Sequence, residues 1–232
     1  MLVWRVVKGL PWRRPGNSQP SCGRRFLCRV LGAADVVGFS KLAGSDEERT
    51  LARLRALRSD LIDPTIAVHN GRIVKRTGDG VLIEFRSVVD AVRCAIEMQN
   101  GMIERNAGLP PERRIEFRVG IHLGDVVEES DGDLMGDSVN IAARLEGIAD
   151  PGGICLSEDA YRQVRDRLKE GFADLGEKEL KNIARPVRVF AIKTASSGVT
   201  QELIASTPEL GGDPEQEYFG GRQARRCAAR GP

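Results

Sequence analysis

The chain has 232 residues, 41% hydrophobic and 29% charged, which suits a soluble globular protein holding one ordinary domain plus tails. A net charge of only +2 argues against nucleic acid or a strongly acidic substrate attracted over the whole molecule. Five scattered cysteines (Cys22, Cys28, Cys94, Cys155, Cys227) make no CxxC pair and no disulfide framework, a pattern that suits a reducing cytoplasm, and no apolar run approaches the roughly eighteen residues of a membrane span.

The first thirty-four residues contain no Asp or Glu but carry Arg5, Lys8, Arg13, Arg14, Arg24, Arg25 and Arg29. Residues 1–25 read as a basic tail rich in Pro, Gly and Ser. Its Trp-containing start suits weak contact with an anionic membrane surface, although disorder is the commoner fate of such a composition. A strand is expected from Phe26 to Ala34, followed by a turn over Asp35-Val36-Val37-Gly38-Phe39-Ser40. From Asp46 to His69 the leucines at 51, 54, 57 and 61 mark one buried helical face, with Pro64 kinking it and Asn70-Gly71 ending it.

Two short apolar strands, Arg72 to Lys75 and Val81 to Phe85, are joined by Thr77-Gly78-Asp79-Gly80, a hairpin signal. Ser87 caps a helix, with Asp90 completing a capping box and Val89, Val92, Ile96 and Met98 on its inner side. Ile115 to His122 alternates as a strand, and Gly124-Asp125 is expected to turn into a further strand through Val126 and Val127. An acidic loop, Glu128 to Asp133, leads to a helix from Ser138 to Ile148. A short strand follows at Ile154 to Leu156, then a helix capped by Ser157, and strands near Phe172 to Leu175 and Val187 to Ile192. Strands and helices are interleaved with at least one hairpin, so the fold is α+β with a mixed sheet spanning about residues 26–194. Residues 195–232 return to low complexity and read as a disordered tail.

Asp35 at a strand end and Asp79 in a hairpin turn are candidates for holding divalent cations, because magnesium and manganese prefer carboxylate oxygens delivered from rigid strands. Taken alone, each aspartate is as readily a turn cap. Gly38 lets the backbone of Val36 to Ser40 approach a ligand, with successive N–H groups free for phosphate oxygens. Farther on, Asn140 and Arg144 stand four apart on one helical face, an amide and a guanidinium suited to a ribose and a transferring phosphoryl group. The commoner use of such residues is a solvated face.

Four segments, taken together, carry a resemblance: Ala34 to Ser40, Gly71 to Gly80, Phe117 to Gly124, and Gly136 to Leu145. In order and spacing they resemble the class III adenylate/guanylate cyclase catalytic domain of bacterial adenylate cyclase type, over residues 26 to 193. The resemblance implies a mainly antiparallel, ferredoxin-like or palm-like sheet. It assigns Asp35 and Asp79 to metal, Lys75 and Asp133 to the adenine edge, Asn140 to the ribose and Arg144 to the transition state. It also implies ATP as substrate, cyclic AMP and pyrophosphate as products, two Mg2+ or Mn2+ ions per site, and a homodimer whose two sites are shared between chains.

Some residues depart from the family pattern. Arg76 stands where a small residue is expected and is anticipated to crowd the hairpin, Asp125 replaces a basic phosphate contact, and Cys28 and Arg29 interrupt the first strand. His69 and His122 read as structural. The rival readings are a silent cyclase-homology domain acting as a regulatory or dimerisation partner, a guanylate cyclase (which would not carry Lys75 with Asp133), and a different two-metal enzyme (which would want a basic groove).

Overall fold

The computed structural model describes residues 25–192; the expected tails lie outside these residues, apart from Arg25, which opens the first strand. Two twelve-residue strands, β1 (Arg25–Val36) and β4 (Phe117–Glu128), pair antiparallel along their whole length and form the spine of the sheet. The hairpin β2 (Arg72–Thr77) and β3 (Gly80–Phe85) adds to one side of β1. On the other side β4 pairs in parallel with β6 (Ile154–Ser157), followed by β8 (Val187–Ile192) and β7 (Phe172–Lys178). The order is β2-β3-β1-β4-β6-β8-β7, and a two-residue β5 (Leu134–Met135) pairs with β4. The sheet is therefore mixed and mostly antiparallel, as the α+β reading anticipates.

One face of this sheet is covered by α2 (Glu47–Leu57), α3 (Asp63–Val68), α4 (Val88–Asn106) and α6 (Glu158–Val164). Val30, Ile83, Phe85, Phe117, Val119 and Ile121 meet Leu54, Ile66, Val92 and Met98 there. Each such side chain, fully buried, contributes about 1.5–3 kcal/mol. Among the described residues the opposite face carries one helix, α5 (Asp137–Ile148), whose Val139 and Ala142 pack on Leu31, Ala33, Leu82 and Val126. Gly120 makes this docking possible, since a Cβ there would stand 2.3 Å from Ala142 O and Glu146 N.

Several elements differ from the sequence expectation. Asp35 lies within β1, opposite Arg118, because the strand continues to Val36, and the turn is confined to Val37-Gly38 ahead of a short α1 (Phe39–Ser45). Gly124-Asp125 does not turn: β4 runs straight through it. Gly124 is small because Ser138 Oγ and His122 Nε2 would lie 2.5 and 2.7 Å from a Cβ. The buried face of α4 is Val88, Ala91, Val92, Ala95, Met98 and Met102, which includes the expected Val92 and Met98 but leaves Val89 and Ile96 only partly covered.

The long helix passes through a π-turn, Arg58–Ile62, just before Pro64. As expected, the helix ends at Asn70-Gly71, with Asn70 left-handed at φ 55°. A bulge at Val74 shifts the β2–β3 register between Ile73↔Ile83 and Lys75↔Leu82. Among the described residues no helix is long and apolar enough to cross a membrane.

Candidate active site

The last residues of β1 and the β2–β3 turn bring Asp35 and Asp79 together. Thr77 pairs with Gly80, leaving Gly78 and Asp79 as the two turn residues, and Gly78 takes the positive φ (59°) that such a tight turn asks of its first position. Gly80 keeps β3 against β1, since a Cβ there would stand 3.1 Å from Asp35 Oδ1. Both aspartates are half-buried. Burial first, and then the Asp79 carboxylate, raise Asp35 from the ordinary 3.8 to about 6, with the Val36 N–H and Arg118 opposing.

Two like charges in partial burial are unfavourable without a cation between or beside them. A divalent ion that takes one or two protein carboxylates and completes its shell from phosphate oxygens and water fits this donor set. No group of three or more His, Cys, Asp or Glu able to hold a metal is found among the described residues.

Beneath this pair lies a residue that the sequence reading missed. Glu146, on the inner side of α5, is 8% exposed, and its carboxyl is raised from 4.5 to about 7 by burial and by Asp35. The Arg118 guanidinium stands 3.5 Å away, too far and too poorly aligned for a hydrogen bond, so burial and Asp35 outweigh it. In sequence, nothing local sets Glu146 apart from other charged helix residues. Only the ladder that sets Arg118 opposite Asp35 reveals the cluster.

The second group of expected site residues lies on the face that carries α5. Lys75, opposite Leu82 on β2, donates from Nζ to Asp133 Oδ2 at 2.9 Å. Asp133 Oδ1 accepts from the N–H of Leu134, which fixes the carboxylate at the start of β5. Asn140 is exposed on α5 and makes no side-chain hydrogen bond among the described residues; Arg144, one turn on, is half-buried with its Nε unpartnered. No hydrogen bond or ion pair joins the Asp35–Asp79 pair to the Lys75–Asp133 pair among the described residues. The structure brings together the members of each pair.

The backbone over Val36, Val37, Gly38, Phe39 and Ser40 closes this end of β1. Val37 N–H is committed to Glu116 O at 2.8 Å, and Gly38 (φ 62°) opens α1 with no side-chain cap. Arg76 does not crowd the hairpin: its Nη2 sits 2.8 and 2.9 Å from the two carboxylate oxygens of Asp63. Arg29 pairs with Glu84 on the β1–β3 ladder, which accommodates the charge within the first strand, and Cys28 is exposed. His122 is buried, bonded through Nδ1 to Ser157 Oγ at 2.8 Å, and burial lowers it to about 4. His69 bonds Glu97 at 2.8 Å. Both histidines are structural.

The model of the adenylate and guanylate cyclase catalytic domain family matches residues 30–194. Putative adenylate cyclase 3 of Rhizobium meliloti is 42% identical over 212 residues, covering 84% of this chain and 36% of that protein. An adenylate cyclase of Streptomyces coelicolor is 32% identical over 67% of this chain and 38% of its own length, so the chain spans little more than a third of these relatives. Among solved structures, an adenylate/guanylate cyclase/hydrolase from Silicibacter pomeroyi superposes with a TM-score of 0.69 at 44% identity, covering 73% of this chain and 98% of the other.

Proposed function

We propose, since the chain belongs to the adenylate and guanylate cyclase catalytic domain family, that it converts ATP to 3′,5′-cyclic AMP and pyrophosphate. The observation that carries this reading is the meeting of Asp35 and Asp79, a pair of carboxylates held together against their own repulsion. Asp35 and Asp79 hold two divalent cations, magnesium or manganese, which supply a more acidic ribose 3′-hydroxyl and charge neutralisation along the triphosphate. The 3′-oxygen bonds to the α-phosphorus, the bond from that phosphorus to the bridging oxygen breaks, and the 3′ proton passes to solvent.

Asn140 orients the ribose, and Arg144 neutralises charge building on the α-phosphate. Lys75 donates to adenine N1 while Asp133 accepts from the 6-amino group; a guanine edge presents the reverse pattern and is disfavoured. The backbone from Val36 to Ser40 faces the triphosphate.

As the family resemblance implies, the proposed enzyme is a homodimer with two shared sites. In each site one chain supplies the aspartates, and its partner supplies Lys75, Asp133, Asn140 and Arg144. Purified chain incubated with ATP and Mn2+ is expected to release cyclic AMP, measured by chromatography; a folded dimer that binds ATP but yields no cyclic product overturns the reading. The rival of a silent regulatory domain is disfavoured because all six expected residues are present.

A further inference from the structure

Two one-residue irregularities meet beside Asp79, and the proposed reaction uses neither. The first is the π-turn of Arg58–Ile62, in which the Asp63 N–H donates to Arg58 O, five residues back. In a regular α-helix, residues five apart point about 140° away from each other. The wider π ring closes that angle and turns Arg58 and Asp63 toward one side. Pro64 favours the widening, because it has no N–H to offer the Asp60 carbonyl; that oxygen accepts from Arg105 Nη2 at 3.4 Å.

The second irregularity is the bulge at Val74, which sets Arg76 opposite Val81, on the helix-covered side of β3. Both side chains of the π-turn reach the hairpin there. Arg58 Nη2 donates to the carbonyl of Gly78, the residue before Asp79, and Asp63 receives Arg76. Burial and then Arg76 lower the Arg58 pKa while Asp63 and Asp79 oppose, so all four charged groups lie within electrostatic reach.

We propose that the π-turn is a clamp on the metal hairpin. Arg58 and the Asp63–Arg76 ion pair are positioning residues that fix the Gly78-Asp79 turn so that Asp79 meets Asp35 around a divalent cation. The inference rests on reading Asp35 and Asp79 as metal-binding carboxylates, and it adds residues outside the six the family resemblance assigns. If the pair served stability alone, its loss would shift melting and leave cation binding unchanged.

The test is Mn2+ titration of the full chain with 3′-deoxy-ATP, which cannot cyclise, read by the electron paramagnetic resonance of free Mn2+. Arg58→Ala, Asp63→Ala and Arg76→Ala are each expected to weaken Mn2+ about tenfold, the usual cost of losing a group that orients a ligand. The charge-reversed double variant D63R/R76D is expected to regain most of the affinity. Arg58→Lys keeps the charge without the planar fork and serves if Arg58→Ala does not fold; a smaller weakening of the same sign is expected. Unchanged affinity in folded variants, or a reversed pair that restores nothing, overturns the clamp. A wild-type chain that fails to bind Mn2+ overturns the metal reading itself, a result distinct from failure of the clamp alone.

Discussion

Asp35 and Asp79 form a half-buried pair of like charges, whereas Lys75 and Asp133 form an ion pair of opposite charges closed at 2.9 Å, its lysine side chain 50% exposed. The first pair is unsatisfied at rest and gains directly from an arriving cation. The second is already satisfied and must exchange one partner for another when adenine enters, so little net affinity comes from it. Under the proposed function the contrast separates two tasks: the aspartates would supply binding of metal and triphosphate, and the lysine–aspartate pair would supply discrimination between bases.

The hardest blow to that contrast is Asp79→Ala, expected to lower turnover by about a thousandfold with the fold retained, by analogy with removing a group that stabilises transition-state charge. Mixing an Asp35→Ala chain with an Arg144→Ala chain is expected to restore activity through the one intact composite site. No recovery in the mixture would place both pairs in a single chain's site. Smaller in effect, Lys75→Ala and Asp133→Ala are each expected to reduce the preference for ATP over GTP ten- to a hundredfold, because an unpaired buried edge costs about 1–3 kcal/mol. Steady-state rates with both nucleotides check this.

Smaller again is a pH effect on the metal-free protein. Asp35 moves from 3.8 to about 6 on folding and Glu146 from 4.5 to about 7, so folding favours their protonated forms. The stabilising contribution is complete below about pH 3.8 and is lost as the pH rises through 6 to 7. Wild-type chain is therefore expected to lose about 1–2 kcal/mol between pH 4 and 7 relative to Asp79→Asn, after allowing for solvent screening. Thermal melts along that range measure the difference, and added Mg2+ is expected to remove it. The smallest effect is Lys75→Met, expected to change stability by under about 1 kcal/mol in the same melts, as befits an exposed ion pair.

The mixed sheet, its hairpin and most helices were legible because apolar periodicity and caps were strong: Asp35, Asp79 and the Ser87 and Ser157 caps stand close to where patterning put them. Features that depend on close approach were not legible. Gly124 carries the same letter whether it turns a chain or admits Ser138 and His122. The π-turn keeps helical spacing on both sides and inserts its extra residue where leucine periodicity cannot register it. Glu146 is buried by a helix docked on Gly120, and nothing local to its own segment signals that docking. The pairing of Lys75 with Asp133 spans 58 residues and depends on tertiary structure alone.

The bulge at Val74 makes base recognition a matter of counting. In an unbroken ladder Lys75 would stand opposite Val81 and point into the layer packed by α2, α3 and α4, while Arg76 would face the side of α5. A chain lacking only Val74 would form a regular ladder with Lys75 still opposite Leu82 and Arg76 still opposite Val81, because Val74 is the one residue here that β3 does not match. The bulge thus absorbs one surplus residue of β2 and keeps the lysine on the side of α5 and the arginine on the side of α2, α3 and α4.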